Sequence, residues 1–231
     1  MDYDAIFTAY YSLFRADSDV PTSTDDEYTV GLRLANEAIK YWENYDGTLW
    51  NELYDTLQNS TQTVPALVKT ITTGTTTYAA PTNFRKAGGF VRVKDALGND
   101  AEVYPIIEPN EMQFQNKDSR YCFFTGDSAN GYDLNLNPAP TSELNGLDID
   151  YVYYKTATVF TTGTDVTEMK NPYFIVHRML GNQFRASRNP YYQSAMSDAA
   201  YAIKTMQTDN NSGSWANTPT LTDNSGTSFG S

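Results

Sequence analysis

Asp148-Ile149-Asp150-Tyr151-Val152-Tyr153-Tyr154-Lys155 is the stretch whose pattern decides the fold. Ile149, Tyr151 and Tyr153 alternate with Asp148, Asp150 and Val152. A period of two sends neighbouring side chains to opposite faces of a strand, so this is a strand from a sheet with one buried face. The same character extends outward from residue 60 to 162, where Thr, Val, Tyr and Ile dominate. Turn residues recur there at the spacing of about 8–12 positions expected of an all-β segment. Residues 64–71 read as a strand interrupted by Pro65, which lies at an edge or starts after the proline, since proline removes a ladder donor. Residues 90–93 and 103–106 flank Gly98-Asn99, which predicts a tight primed hairpin. Residues 120–125 and 132–136 add further strands, and 108–116 reads as a short surface helix. The expectation for 60–163 is an inserted antiparallel β-sandwich or barrel-like domain.

Helical periodicity lies on both sides of this segment. Tyr3, Ile6, Phe7, Tyr10, Leu13 and Phe14 recur at three- and four-residue spacing, as one face of a helix requires. Thr24-Asp25-Asp26-Glu27 has the form of a capping box, the Thr24 hydroxyl accepting from the Glu27 amide while the Glu27 side chain reaches back. A second helix follows, with Tyr28, Leu32, Ala35, Ile39 and Trp42 as its apolar stripe, and Gly47 breaks it. Leu49, Trp50, Leu53 and Leu57 read as the inward residues of a short helical turn. Downstream, Asn171-Pro172 and Asn189-Pro190 each match an N-cap followed by proline at the first helical position. One helix then presents Tyr173, Val176, Leu180 and Phe184, the next Tyr192, Ala195, Ala199, Ile203 and Met206. The short link between them predicts an αα-hairpin. The fold class is therefore α+β: N-terminal helices (1–59), the β domain (60–163), a C-terminal αα-hairpin completing a helical bundle (164–206) and an extended arm (207–231).

That arm is almost all Thr, Ser, Asn, Gly and Asp, a composition that cannot bury enough apolar surface to fold alone. Trp215, Leu221 and Phe229 are spaced along it as anchors. Extended, it reaches on the order of 80 Å at roughly 3.3 Å per residue, which suits an arm that folds onto a neighbouring subunit in a large assembly.

Composition narrows the function. The chain of 231 residues can bury a core, and its 40% hydrophobic content is that of a soluble globular protein. No apolar run reaches the roughly 20 residues of a membrane span, and the acidic flanks of MDYDAIFTAYYSLF do not read as a secretory signal. The single cysteine, Cys122, excludes an internal disulfide and suits a reducing cytoplasm, and one His with one Cys leaves a structural zinc site without ligands. The net charge of −12 argues against gripping nucleic acid through phosphates, though not against standing beside DNA. The 18 Tyr, 11 Phe and 3 Trp exceed what cores of this size need, and such a surplus often feeds subunit interfaces.

Catalytic signatures are absent: no nucleophile elbow, P-loop or dinucleotide-binding glycine pattern occurs. His177 sits beside Arg178 in a helix, where a satisfied histidine is the simpler reading than a general base. Cys122, between Tyr121 and Phe123, reads as an inert buried thiol. Asp148 and Asp150 share a strand face and so could form a glycosidase-type pair, although solvated strand acids are commoner. Arg178, Arg185 and Arg188 form the densest basic patch, spaced to share one helix face. They read either as a solvated salt-bridged face or as a contact to acidic protein or DNA phosphate.

In order, the segments resemble the head-to-tail adaptor (head-completion or connector) proteins of tailed bacteriophages over about residues 1–207. The likeness rests on Leu34-Ala35-Asn36-Glu37-Ala38 followed by Trp42 and Trp50, then Gly74 with Tyr78-Ala79-Ala80-Pro81-Thr82-Asn83-Phe84. Gly131-Tyr132-Asp133-Leu134-Asn135-Leu136-Asn137-Pro138-Ala139-Pro140 and the tyrosine-rich strand from Tyr151 to Lys155 follow. The resemblance implies structural work without catalysis, cofactor or metal: a homo-oligomeric virion ring, usually of about twelve copies, beneath the portal protein at the head-tail junction. It implies C-terminal segments that grip the portal, an opposite face that receives tail or nozzle proteins, assembly in the host cytoplasm and DNA passing through without specific binding. On this basis Trp215, Leu221 and Phe229 are the expected portal-binding anchors. Asp25, Asp26 and Glu27 are the expected acidic channel lining, with Arg178, Arg185 and Arg188 as the competing channel or interface residues. A carbohydrate-binding or tail-fibre-like module, with strand aromatics stacking on sugar rings, is the alternative.

Overall fold

The computed structural model describes residues 1–15, 19–62 and 66–215, with 212–215 by backbone alone. The chain divides into two compact units, Met1–Asn51 together with the chain from Val159 onward, and Glu52–Thr158. The first is helical and the second carries the sheets, giving a mixed α+β protein.

The helical unit contains α1 (Tyr3–Arg15), α2 (Asp26–Glu43), α3 (Tyr173–Ala186) and α4 (Tyr192–Trp215). The apolar stripes bury Tyr3, Ile6, Phe7 and Tyr10 on α1, and Tyr28, Ala35, Ile39 and Trp42 on α2; Leu32, expected in the α2 stripe, is only half-buried, and Leu34 is buried instead. Leu13 departs from its stripe and is exposed. α3 packs against each of the other three helices. Gly31 lets α1 lie close on α2, because a Cβ there would overlap the Phe7 ring.

Two sets of hydrogen bonds tie the returning chain to this unit. The Asn36 side chain donates to the Phe160 carbonyl (2.9 Å) and accepts from the Phe160 amide (2.8 Å), so one amide satisfies both backbone groups of a residue far away in sequence. The loop after Phe160 also receives the start of α1: Tyr3 N–H donates to Asp165 O (3.0 Å) and Asp4 N–H to Gly163 O (2.9 Å). At the other end of α2, Trp50 Nε1 donates to the Trp42 carbonyl at 2.7 Å, satisfying an acceptor of the last turn.

The capping box expected at Thr24 does not form. Asp25 is the N-cap and makes no side-chain cap bond; its carboxylate accepts instead from the Thr22 amide (2.7 Å) and hydroxyl (2.9 Å). Glu27 turns to α1, where Arg15 (2.9 Å) and the Tyr11 hydroxyl (3.1 Å) donate to it. A salt bridge and a phenol replace a bond to its own backbone. At the two Asn-Pro pairs Asn171 Oδ1 accepts from Tyr173 N–H (3.3 Å) and Asn189 Oδ1 from Tyr191 N–H (3.0 Å), but the helices begin later than expected, α3 at Tyr173 with Pro172 as its N-cap and α4 at Tyr192.

α4 runs on to Trp215, so residues 207–215 are helical where an extended arm was expected. Polar anchors hold this extension. Gln207 donates to Thr48 Oγ1 (2.8 Å), Asn210 Nδ2 donates to Leu49 O (3.0 Å), and Asn51 N–H donates back to Asn210 Oδ1 (2.8 Å). Lys170 pairs with Asp209 at 3.1 Å.

The β unit contains β1 (Tyr54–Thr56), β2 (Thr77–Ala79), β3 (Phe84–Lys94), β4 (Asp100–Pro105), β5 (Tyr121–Asp127), β6 (Gly131–Asn137) and β7 (Asp148–Lys155). They form two antiparallel sheets, ordered β1-β7-β3-β4 and β2-β6-β5. Ile149, Tyr151 and Tyr153 of β7 are buried with Val91, Val93 and Tyr104 of the first sheet and Tyr78, Cys122, Leu134 and Leu136 of the second. The described strands share this core without closing into a barrel.

Three local expectations are revised. Residues 66–71 make a single bridge, Thr70 to Asp148, and no strand. Ile149 N–H donates to Lys69 O (2.8 Å) and Ile71 N–H to Leu147 O (2.8 Å), but the Gln58 side chain donates to the Ile149 carbonyl (2.5 Å) and so takes the acceptor a ladder would need. Val64 and Pro65 lie outside the described residues. The β3–β4 turn is longer than a primed two-residue turn: Ala96-Leu97-Gly98 is closed by Asp95 N–H to Asn99 O (3.0 Å), with Gly98 at φ +81. Residues 49–57 yield a 3₁₀ turn at Asn51–Leu53 and then β1, with Trp50, Leu53 and Leu57 buried as expected and Leu49 half-buried.

Two outcomes follow from the ties around Phe160. Asn36→Ala removes two hydrogen bonds and strands a backbone N–H and C=O, so denaturant unfolding should show a loss of about 2–3 kcal/mol; a loss under about 0.5 kcal/mol would show that the clamp is dispensable. Asp165 accepts from the Thr161 amide (2.6 Å), the Thr162 amide (2.7 Å) and the Thr161 hydroxyl (2.8 Å), and these donors lower its carboxyl to about 2. With the folded value depressed, its contribution is full above the unfolded value of roughly 3.9 and disappears as pH falls through about 2. An NMR titration of Asp165 with a midpoint at the ordinary aspartate value would contradict this latch.

Candidate interaction surfaces

Two of the groups suited to chemistry, Cys122 and Asp150, are committed to structure, while Asp148 is exposed. Cys122 is fully buried and its thiol is pushed up to about 12 by that burial, leaving no thiolate nucleophile near neutrality. Asp150 pairs with Lys94 at 2.7 Å, on the β7 face that also carries Asp148. Of the strand aromatics, Tyr151 and Tyr153 are buried in the β core, while Tyr54 of β1 and Phe90 of β3 are exposed. His177 is half-buried within α3. Among the described residues no group of three or more His, Cys, Asp and Glu could hold a metal ion, and no helix is long and apolar enough to cross a membrane.

The basic trio does not share one helix face. Arg178 lies half-buried with its guanidinium 4.0 Å from the Tyr41 ring centroid and 3.9 Å from Met196 Sδ, a packing position between α2, α3 and α4. Arg185 is exposed in the last turn of α3. Arg188 lies beyond the helix at φ +54, where Arg188 N–H donates to Arg185 O (3.3 Å) and Asn189 N–H to Phe184 O (2.8 Å). These paired bonds are a Schellman ending, whose left-handed position usually belongs to glycine. Of the acidic trio, Asp25 and Glu27 are engaged as described above, and Asp26 stands exposed in the first turn of α2. Of the expected anchors, the Trp215 backbone ends α4, while its side chain and Leu221 and Phe229 lie outside the described residues.

Several exposed apolar side chains were not singled out by periodicity. Tyr191 and Tyr201 stand out from the helical unit, Tyr201 being 76% exposed. In the β unit, Leu97 tops the β3–β4 turn at 86% exposure and Phe114 ends the Pro109–Phe114 3₁₀ turn at 80%. A turn residue carries no burial pattern, so only its chemistry, leucine where a polar residue is usual, could have flagged it.

A surface of exposed rings and rigid turns suits a protein that binds other proteins. The SU10 adaptor protein family model matches residues 3–220, which takes in both units. The chain belongs to that family. Membership identifies a phage structural adaptor and a virion component. No curated protein matches the chain.

The adaptor's Arg188 gives a direct stability test. An L-residue in the left-handed region costs about 1 kcal/mol or more, part of which glycine returns as unfolded-state entropy. Arg188→Gly should raise the unfolding free energy by about 0.5 kcal/mol. A destabilised variant would mean that the Arg188 side chain makes contacts worth more than the strain.

Proposed function

We propose that this adaptor forms a ring of about twelve copies that joins the capsid portal to the tail and continues the DNA channel. The family match over both units carries this proposal. Portal and tail or nozzle proteins are its partners on opposite faces, and the C-terminal segment beyond α4 grips the portal. Trp215, Leu221 and Phe229 are the anchors, the first set at the end of a helix held by Gln207 and Asn210. The acidic balance of 28 Asp and Glu against 16 Lys and Arg suits a channel wall that does not retain DNA. Asp26 is the best placed of the proposed lining residues, because Glu27 is paired to Arg15. Arg185 and Arg188 remain the exposed candidates for an interface or a channel brake, and Arg178 is occupied with Tyr41. Assembly in the host cytoplasm accords with the buried, unpaired thiol of Cys122.

Two truncations test the grip and separate it from folding. Removing 216–231 should leave thermal unfolding unchanged and weaken retention on immobilised portal protein, because Leu221 and Phe229 are lost and Trp215 stays. Removing 207–231 should abolish retention and in addition lower the melting temperature, because it deletes Trp215 and the Gln207 and Asn210 anchors. Full portal binding by the longer deletion would refute the terminal grip. Within the arm, Trp215→Ala should weaken retention most, by about tenfold or more.

A further inference from the structure

The β unit carries a projecting apolar side chain at one end of β3 and an apolar cavity at the other. The projection is Leu97, on a turn that is rigid by construction. Asp95 Oδ1 accepts from the Leu97 amide (2.9 Å) and the Asn99 amide (2.9 Å), Asn99 Nδ2 donates to Asp95 Oδ2 (3.2 Å), and Gly98 adopts the left-handed conformation that closes the loop. These bonds hold the Asp95 carboxyl below the usual range, so the turn stays pinned at neutral pH. A leucine so exposed gains nothing from folding, and a pinned loop loses little further entropy when it docks.

The cavity has a volume of about 150 Å³ and is bordered by Phe84, Ala87, Ile106, Ile107, Phe124 and Tyr132. Phe84 is buried and stacks on Phe124 at 4.6 Å between centroids, while Ala87, both isoleucines and Tyr132 are only half-buried. The volume suits one branched aliphatic side chain. Arg85 and Lys86 stand at its rim with Glu108. The turn that would approach it carries Asp95, the flanking Asp100 and Lys94 being paired with Arg92 and Asp150 respectively.

Projection and cavity cannot meet within one chain. β3 has 11 residues, with the cavity at Phe84–Ala87 and the turn beyond Lys94, so at about 3.3 Å per residue they lie roughly 30 Å apart. They are different patches of one surface. A contact between them is heterologous, the kind that repeats head to tail and closes into a ring when the rotation allows.

We infer that Leu97 of each adaptor copy seats in the Phe84–Tyr132 cavity of the next copy, with Asp95 of the turn facing Lys86 at the rim. This contact deepens the ring proposed above and supplies one of its subunit interfaces.

Cysteine pairing tests it in complexes assembled on portal protein. Leu97→Cys and Lys86→Cys chains, mixed and mildly oxidised, should give covalent dimers, and the double variant should give a ladder of higher species. Each single variant alone and the wild type, whose Cys122 is buried, should give none. Leu97→Asp should keep the wild-type melting curve and lower ring yield about tenfold or more. Rings that form normally with Leu97→Asp and without the cross-link would overturn this contact while leaving the ring intact. Loss of tail attachment alone would assign Leu97 to a tail protein and overturn it equally. A wild-type chain that forms no ring on portal would overturn both.

Discussion

The exchange between the Asn36 side chain and the Phe160 backbone is the constraint on which the helical unit depends. The chain leaves that unit after Asn51 and returns at Val159, so α3 and α4 can complete it only if the returning strand is set in one register. An amide side chain does this well, because it offers one donor and one acceptor in the geometry of a peptide group. Both distances are below 3 Å. The following loop then finds the α1 N-terminus, and Asp165 fixes its turn by gathering donors from Thr161 and Thr162. From this point Asn171 and Asn189 start the last two helices at defined positions.

The β unit applies the same economy with carboxylates. Asp95 pins the β3–β4 turn, and Asp127 does so for the β5–β6 turn by accepting from Ala129 (2.7 Å) and Asn130 (2.9 Å) amides. Both carboxyls are held below their ordinary range by these donors, with the Asn99 amide and the Asn130 side chain as the leading causes. These two carboxylates are therefore structural at the local level. What remains outward is a set of rigid turns, exposed rings and a few free acids, the vocabulary of a protein that works by contact.

The sequence disclosed those parts whose physics is periodic. Alternation in β7 and three-to-four spacing in α1 express burial directly, and burial is what the finished core rewards; on α3 Val176 and Leu180 bury, but Tyr173 is exposed and Phe184 half-buried. Long-range polar choices were hidden. Glu27 had a valid local partner in the Thr24 box, yet Arg15 and Tyr11 on another helix outcompeted it. Residues 207–215 looked like a tail because nothing apolar recurs there, but Gln207 and Asn210 find backbone and hydroxyl partners near Thr48. The arginine face failed for a related reason: a helix ended in a left-handed arginine, and spacing alone carries no sign of φ. Family membership was legible because the motifs sit at structural joints: Asn36 in the clamp, Trp42 and Trp50 capping α2, Phe84 in the β core. The candidate surfaces were less so, since exposure leaves no pattern.

The central claim is that this chain is a structural link placed between portal and tail. A cryo-electron microscopy map of the portal vertex of the assembled virion tests it most directly. The expected result is a single ring of this fold between portal and tail, its α4 ends directed to the portal and the DNA path continuous through its centre. A vertex map in which this fold is absent from that position, or found at the distal tail as separate copies, would contradict the account.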